Sequence, residues 1–139
     1  MVDLTEFESI SPYTDEQASE ALGKLADYPA VAQASRYFFP EESPDFLKNV
    51  LKQIKTIDQF QVLVMQRFVR WVLEHTAKNF SYDGISNIDP NKKFLALSNH
   101  RDIIMDPAIT QLVLHTNGIP MTEIAVGDNL ITNEAIEYL

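Results

Sequence analysis

Along the first half of the chain, apolar positions recur at three- and four-residue intervals, the spacing of one face of a helix. Thr14-Asp15-Glu16-Gln17 has capping-box spacing and opens a helix reaching about Leu25. Pro29 and Pro40 interrupt the pattern, and AVAQASRYFF between them fits a second, short helix. Ser43-Pro44-Asp45 supplies another start: a serine at the N-cap, proline at the first helical position and an acid in the first turn. That helix is expected to run to about Ile54. Thr56-Ile57-Asp58-Gln59 repeats the capping box and begins the longest helix, to about Ala77. On it Phe60, Val64, Phe68, Trp71 and Val72 share a broad face, flanked by Leu63 and Leu73 and opposed by Arg67, Arg70, Glu74 and Lys78. Two arginines near its middle exclude a membrane span. A face of this kind packs into a core more often than it lies on a membrane surface.

The second half changes period. FSYDGI (80–85) alternates and holds a turn, so it reads as a short strand; IDPNKK is a loop. KFLALSN is a short apolar run bounded by turn residues, the pattern of a strand buried on both faces. AITQLVLHT is helical, with Asn117-Gly118 as its stop, and MTEIAV (121–126) reads as another strand. Strand, helix and strand joined by short links imply a right-handed crossover and a parallel pair. The expected architecture is α/β: a helical region at 1–78, then the first part of an α/β domain at 79–139 built on a βαβ unit with parallel strands. The final NEAIEYL carries no turn signal, so the domain reads as truncated.

Composition narrows the class. A chain of 139 residues is about one domain, and 45% hydrophobic content is enough to bury a core. The absence of cysteine removes disulfides and thiolate metal sites, and the acidic opening MVDLTEFESI is no signal peptide, so the expectation is cytoplasmic. A net charge of −9 argues against nucleic acid as a partner. The charge is unevenly spread: residues 1–47 hold ten acids and two bases, residues 48–93 eight bases and four acids, and no Lys or Arg follows Arg101.

Candidate chemistry lies in FLALSNHRDIIMDP, residues 94–107. A kinase catalytic loop would need asparagine five residues after the aspartate of His-Arg-Asp, where Pro107 stands, and glycine-rich phosphate and Asp-Phe-Gly motifs are missing. His75 and His115 have no metal-ligand spacing to His100, so no metal is expected. A serine-hydrolase elbow is also missing, and Ser98 carries no mark of an activated nucleophile. What remains is His100 at the carboxyl end of an expected buried strand, the place where open α/β sheets bind ligands. A histidine there can serve as general base, with Asp106 holding its other ring nitrogen. The competing reading makes Asp106, before Pro107, and Asp102 simple helix caps.

LSNHRDIIMDPAITQLVLHTNGIPMTEIAVGDNL resembles the first sequence block of the glycerolipid acyltransferases, which include the glycerol-3-phosphate and 1-acylglycerol-3-phosphate enzymes. That block has an Asn-His pair after a buried strand and then an aspartate, often Asp-Pro, opening a helix. Ala125-Val126-Gly127-Asp128-Asn129-Leu130 approximates a later stretch of the glycerol-3-phosphate members, and the likeness covers about residues 80–139. It implies transfer of a fatty acyl group from acyl-CoA or acyl-carrier protein to a glycerol-phosphate-type hydroxyl, with no cofactor. His100 and Asp106 would be catalytic; Asn99, Arg101 and Gly127 would bind substrate. Peripheral contact with the inner membrane surface would follow. The family's aspartate usually stands five residues after the histidine, where this chain has Met105. Either the loop is one residue longer and Asp106 serves, or Asp102 takes part. The family's glycine and arginine block, which grips the substrate phosphate, does not occur here, so this polypeptide is expected to be inactive alone and to self-associate through uncovered apolar surface. The rival class is a non-catalytic interaction or membrane-docking module; a thioester hydrolase is a third reading.

Overall fold

The computed structural model describes residues 11–99, 101–125 and 127. Helices make up 56% of them and no strand or bridge occurs among them, which corrects the expected α/β fold: the described architecture is all helical. These residues divide into two compact units, 11–60 with Gly127, and 61–125.

In the first unit α1 (Asp15–Leu25) begins at the capping box read from the sequence. Thr14 Oγ1 accepts the Gln17 N–H at 3.3 Å, and Gln17 Oε1 accepts the Thr14 N–H at 2.9 Å. Ala18, Ala21, Leu22 and Leu25, at helical spacing, form its buried face. That face packs on α3 (Phe46–Gln53), whose Leu47 and Leu51 are buried with Ile54 just beyond the helix. Each such Leu or Ile contributes roughly 1.5–3 kcal/mol by leaving water. Ser19 Oγ donates to the Ile54 carbonyl at 2.8 Å, fixing the end of α3 against α1.

Proline at the start of α2 (Pro29–Phe38) supplies the fixed φ and missing donor that a first turn tolerates. The start of α3 departs from expectation. The helix begins at Phe46 and Asp45 makes no side-chain cap. The free N–H of Leu47 is taken instead by Ser35 Oγ of α2, at 3.2 Å, and Ser35 is completely buried. The short α4 (Ile57–Phe60) is capped from two sides. Thr56 Oγ1 accepts the Gln59 N–H at 3.1 Å, and Asp15 Oδ1 of α1 accepts the Ile57 N–H at 2.8 Å. On the surface Asp27 holds Lys48 and Lys52, each at 2.9 Å. Its hydrogen bonds from Lys52, then Lys48, hold its carboxyl below the ordinary aspartate range.

The second unit opens with a π-helical turn at Gln61–Met65, followed by α5 (Gln66–Thr76). A π turn takes up one residue more than an α turn and so rotates every later side chain relative to the uniform 3.6-residue pattern. The expected stripe Phe68, Trp71 and Val72 is consequently only half-buried, while Val64, Gln66 and Val69 turn inward, Val69 with 1% of its surface exposed. The five-residue step from Val64 to Val69 is the mark of that extra residue. Gln66 Nε2 is buried and has no hydrogen-bond acceptor among the described residues.

A single 3₁₀ turn (Ile85–Asn87) precedes α6 (Met105–Thr116), which packs on α5. The helix stops where the sequence indicates. Gly118, at φ 70°, adopts the left-handed conformation that β-carbon-bearing residues resist. Its N–H bonds to the His115 carbonyl and that of Ile119 to the Leu114 carbonyl, both at 3.0 Å, while Leu114 and Ile119 bury together with the core.

The runs expected as strands at 80–85, 94–98 and 121–126 form no ladder among the described residues; Val126 lies outside them. Around 121–125 the backbone is claimed by a helix side chain. Gln111 of α6 accepts the Thr122 N–H at 2.9 Å and donates to the Thr122 carbonyl at 2.6 Å. The run at 94–99 has no backbone bond at all among the described residues, and Leu95 and Leu97 are 81% and 86% exposed. An apolar run sets the potential for a strand, but the ladder needs a neighbour at hydrogen-bonding distance. No described helix is long and apolar enough to cross a membrane.

Candidate functional site

The segment that carries the expected chemistry lies between the straight run ending at Asn99 and the first turn of α6. Asn99 and Arg101 are exposed, and His100 lies outside the described residues. The chain bends at Arg101 and turns at Ile103-Ile104, whose side chains are 54% and 63% exposed, before α6 begins.

The two aspartates occupy different positions in this turn. Asp102 looks forward: its Oδ1 accepts the N–H groups of Ile104 and Met105 at 2.9 and 2.8 Å, satisfying donors that the helix start leaves unpaired. Asp106 looks back from the first turn of α6. Its Oδ2 accepts the Arg101 N–H at 2.6 Å and the Asp102 N–H at 3.0 Å. Such bonds to an ionised acceptor are about twice as strong as neutral ones, and the positive end of the helix dipole favours both carboxylates. Thr110 Oγ1 in turn donates to the Asp106 carbonyl at 2.8 Å.

The chain thus brings Arg101, Asp102 and Asp106 into one tight loop, with the Asp106 carboxylate on the backbone N–H of the residue that follows position 100. Gly127 is exposed and belongs to the other unit. Asp128, Asn129 and Leu130 lie outside the described residues.

Residues 90–96 and 120–123 line a groove of about 720 Å³, to which Phe94, Leu95, Ala96 and Met121 contribute apolar surface and Lys92 and Lys93 positive charge. The two runs expected as neighbouring strands therefore border one cleft without joining. The turn at its edge is fixed by Asp89, whose Oδ1 accepts the Asn91 N–H at 3.0 Å. That backbone bond, and a side-chain contact from Lys92, keep the Asp89 carboxyl below its ordinary value.

The remaining histidines have local partners. The His75 ring stacks on Trp71 with centroids 4.3 Å apart, and its Nδ1 lies 2.8 Å from the Trp71 carbonyl. His115 sits half-buried in the last turn of α6. No group of three or more His, Asp or Glu side chains able to hold a metal occurs among the described residues.

Sequence reasoning passed over Gln111, which ties α6 to the 121–125 segment. The available signal was a lone amide among apolar neighbours in AITQLVL: a buried polar group must find partners, and this one found a backbone. Comparison with protein-family models, curated proteins and solved structures gives no significant match.

Proposed function

We propose that the chain carries the acyl-transfer site of a glycerolipid-type acyltransferase, moving a fatty acyl group from acyl-CoA or acyl-carrier protein to a glycerol-phosphate-type hydroxyl. The motif His100…Asp106 brings the reading, and one observation supports it: the Asp106 carboxylate is clamped onto the backbone beside position 100, whereas Asp102 is spent on the start of α6. Of the two aspartates, this favours Asp106 as the partner of a histidine at 100.

In this mechanism the His100 imidazole takes the proton of the acceptor hydroxyl as its oxygen attacks the thioester carbonyl. The tetrahedral intermediate collapses, the C–S bond breaks, and the imidazolium returns the proton to the leaving thiolate. Asp106 holds the ring and stabilises its charged form. General-base transfer of this kind supplies about 10²- to 10⁴-fold in rate. Arg101 and Asn99, exposed on either side of position 100, would meet an acceptor phosphate, and Gly127 is a substrate contact by the resemblance alone. The enzyme would work in the cytoplasm against the inner membrane surface.

The test is thiol release from acyl-CoA with glycerol 3-phosphate. His100→Ala should abolish turnover with the fold intact, and Asp106→Asn should cost far more activity than Asp102→Asn. Turnover within a few-fold of wild type for His100→Ala would remove the general base. Were the aspartate order reversed, Asp102 would be the partner. Lipid or protein binding without thioester consumption, and indifferent to His100, would favour the non-catalytic module instead.

A further inference from the structure

Of the large apolar side chains exposed on the described surface, Leu95 and Leu97 are the most exposed, at 81% and 86%. They lie two residues apart on a segment, Phe94 to Asn99, that runs without helix, turn or bend and makes no backbone hydrogen bond among the described residues. Alternation along such a segment puts Leu95 and Leu97 on one side and Phe94, Ala96 and Ser98 on the other. Protein edges are ordinarily guarded by a lysine, a proline, a bulge or a covering element. Phe94-Leu95-Ala96-Leu97-Ser98-Asn99 contains neither lysine nor proline.

We propose that this segment is a self-complementary edge, through which two copies of the chain pair antiparallel about Ala96. The sequence satisfies its own twofold. With Ala96 facing Ala96, Leu95 of one copy lies opposite Leu97 of the other, and the same pair repeats on the far side of the axis. Phe94 meets Ser98, and Lys93 meets Asn99. The basic residues Lys92 and Lys93 of the two copies fall at opposite ends of the ribbon, so like charges do not face one another, which directly opposed lysines would make costly. A parallel arrangement would instead stack Lys92 on Lys92 and Lys93 on Lys93. Pairing would give the segment backbone hydrogen bonds that it makes with no described residue, and would set the two leucines of each copy against those of the other on one face of the ribbon.

The chain has no cysteine, so one introduced thiol reports the register. Residues directly opposed in an antiparallel pair have Cα atoms about 4.5–5.5 Å apart, within reach of a disulfide. Ala96→Cys should therefore cross-link to its own copy under mild oxidation. Phe94→Cys and Ser98→Cys sit four residues from their own mates, roughly 14 Å along the strands, and should cross-link at least about tenfold more slowly. Light scattering at micromolar concentration should show a dimer, and the double variant Leu95→Lys, Leu97→Lys should be monomeric with an unchanged helical circular dichroism spectrum. A monomer in the wild-type chain, or equal cross-linking at 94, 96 and 98, overturns the proposal. So does a dimer that survives the two lysines, which would place the contact elsewhere.

Discussion

Gln111 is the side chain on which the second unit's 121–125 segment depends, and replacing it by leucine measures how much. In the wild type its carbonyl accepts the Thr122 N–H at 2.9 Å, and its amide donates to the Thr122 carbonyl at 2.6 Å and to Thr122 Oγ1 at 3.0 Å. The residue is 5% exposed, so water does not easily replace it. Each neutral hydrogen bond lost costs about 0.5–1.5 kcal/mol net, and a partner left unsatisfied in a buried place costs about 1–3 kcal/mol. Thr122 is half-buried, so its backbone recovers part of its hydration when the clasp goes. Gln111→Leu should therefore lower stability by about 2–3 kcal/mol, after the small gain from a more apolar side chain. Chemical denaturation gives the total, and hydrogen exchange at the Thr122 amide gives the local part, which should accelerate beyond the global loss. Gln111→Glu supplies a control of nearly the same shape. Ionised, it keeps the acceptor for the Thr122 N–H but turns a negative oxygen toward the Thr122 carbonyl, and should destabilise at least as much at neutral pH. Stability of Gln111→Leu within about 0.5 kcal/mol of wild type, with unchanged exchange at Thr122, would refute the clasp, because a surface substitution does no more than that.

Ser35→Ala should destabilise the first unit by about 1–3 kcal/mol through the orphaned Leu47 N–H, whereas Ser43→Ala should be near neutral; thermal denaturation that ranks them the other way would return the cap to Ser43. Asp102→Ala removes the acceptor for two N–H groups at the head of α6 and should cost about 1 kcal/mol, while Asp102→Asn, a good cap itself, should keep most of it. Because Asp27 is held below its ordinary value, its contribution is present above the unfolded aspartate pKa of about 3.9 and is lost as pH falls through the lower, folded value. Asp27→Asn should flatten the acid limb of the stability profile, and added salt should shrink the difference because the carboxylate and both lysines are solvent-exposed; an unchanged limb would show that the ion pairs contribute nothing.

Local chemistry was legible in the sequence. The Thr14–Gln17 capping box and the Asn117-Gly118 stop each involve residues within a few positions of one another, so the order of side chains determines the bond. Three features waited on tertiary structure. The cap of α3 comes from Ser35, twelve residues from the N–H it satisfies, and no nearest-neighbour pattern points to it. The buried face after Val64 was displaced by the π turn at Gln61–Met65, since a hydrophobic stripe read at constant period has no means of registering one extra residue. The runs at 94–98 and 121–125 have the composition of strands, but composition fixes only what a segment would gain by pairing. Thr122 found the Gln111 amide, and 94–99 found no partner among the described residues. At the candidate site the sequence offered two aspartates and favoured Asp106, and the path of the loop gives them different partners: Asp102 accepts from the helix it starts, and Asp106 from the backbone at Arg101 and Asp102. A carboxylate's role is set by which N–H groups lie within about 3 Å of it, and that distance belongs to the path of the backbone.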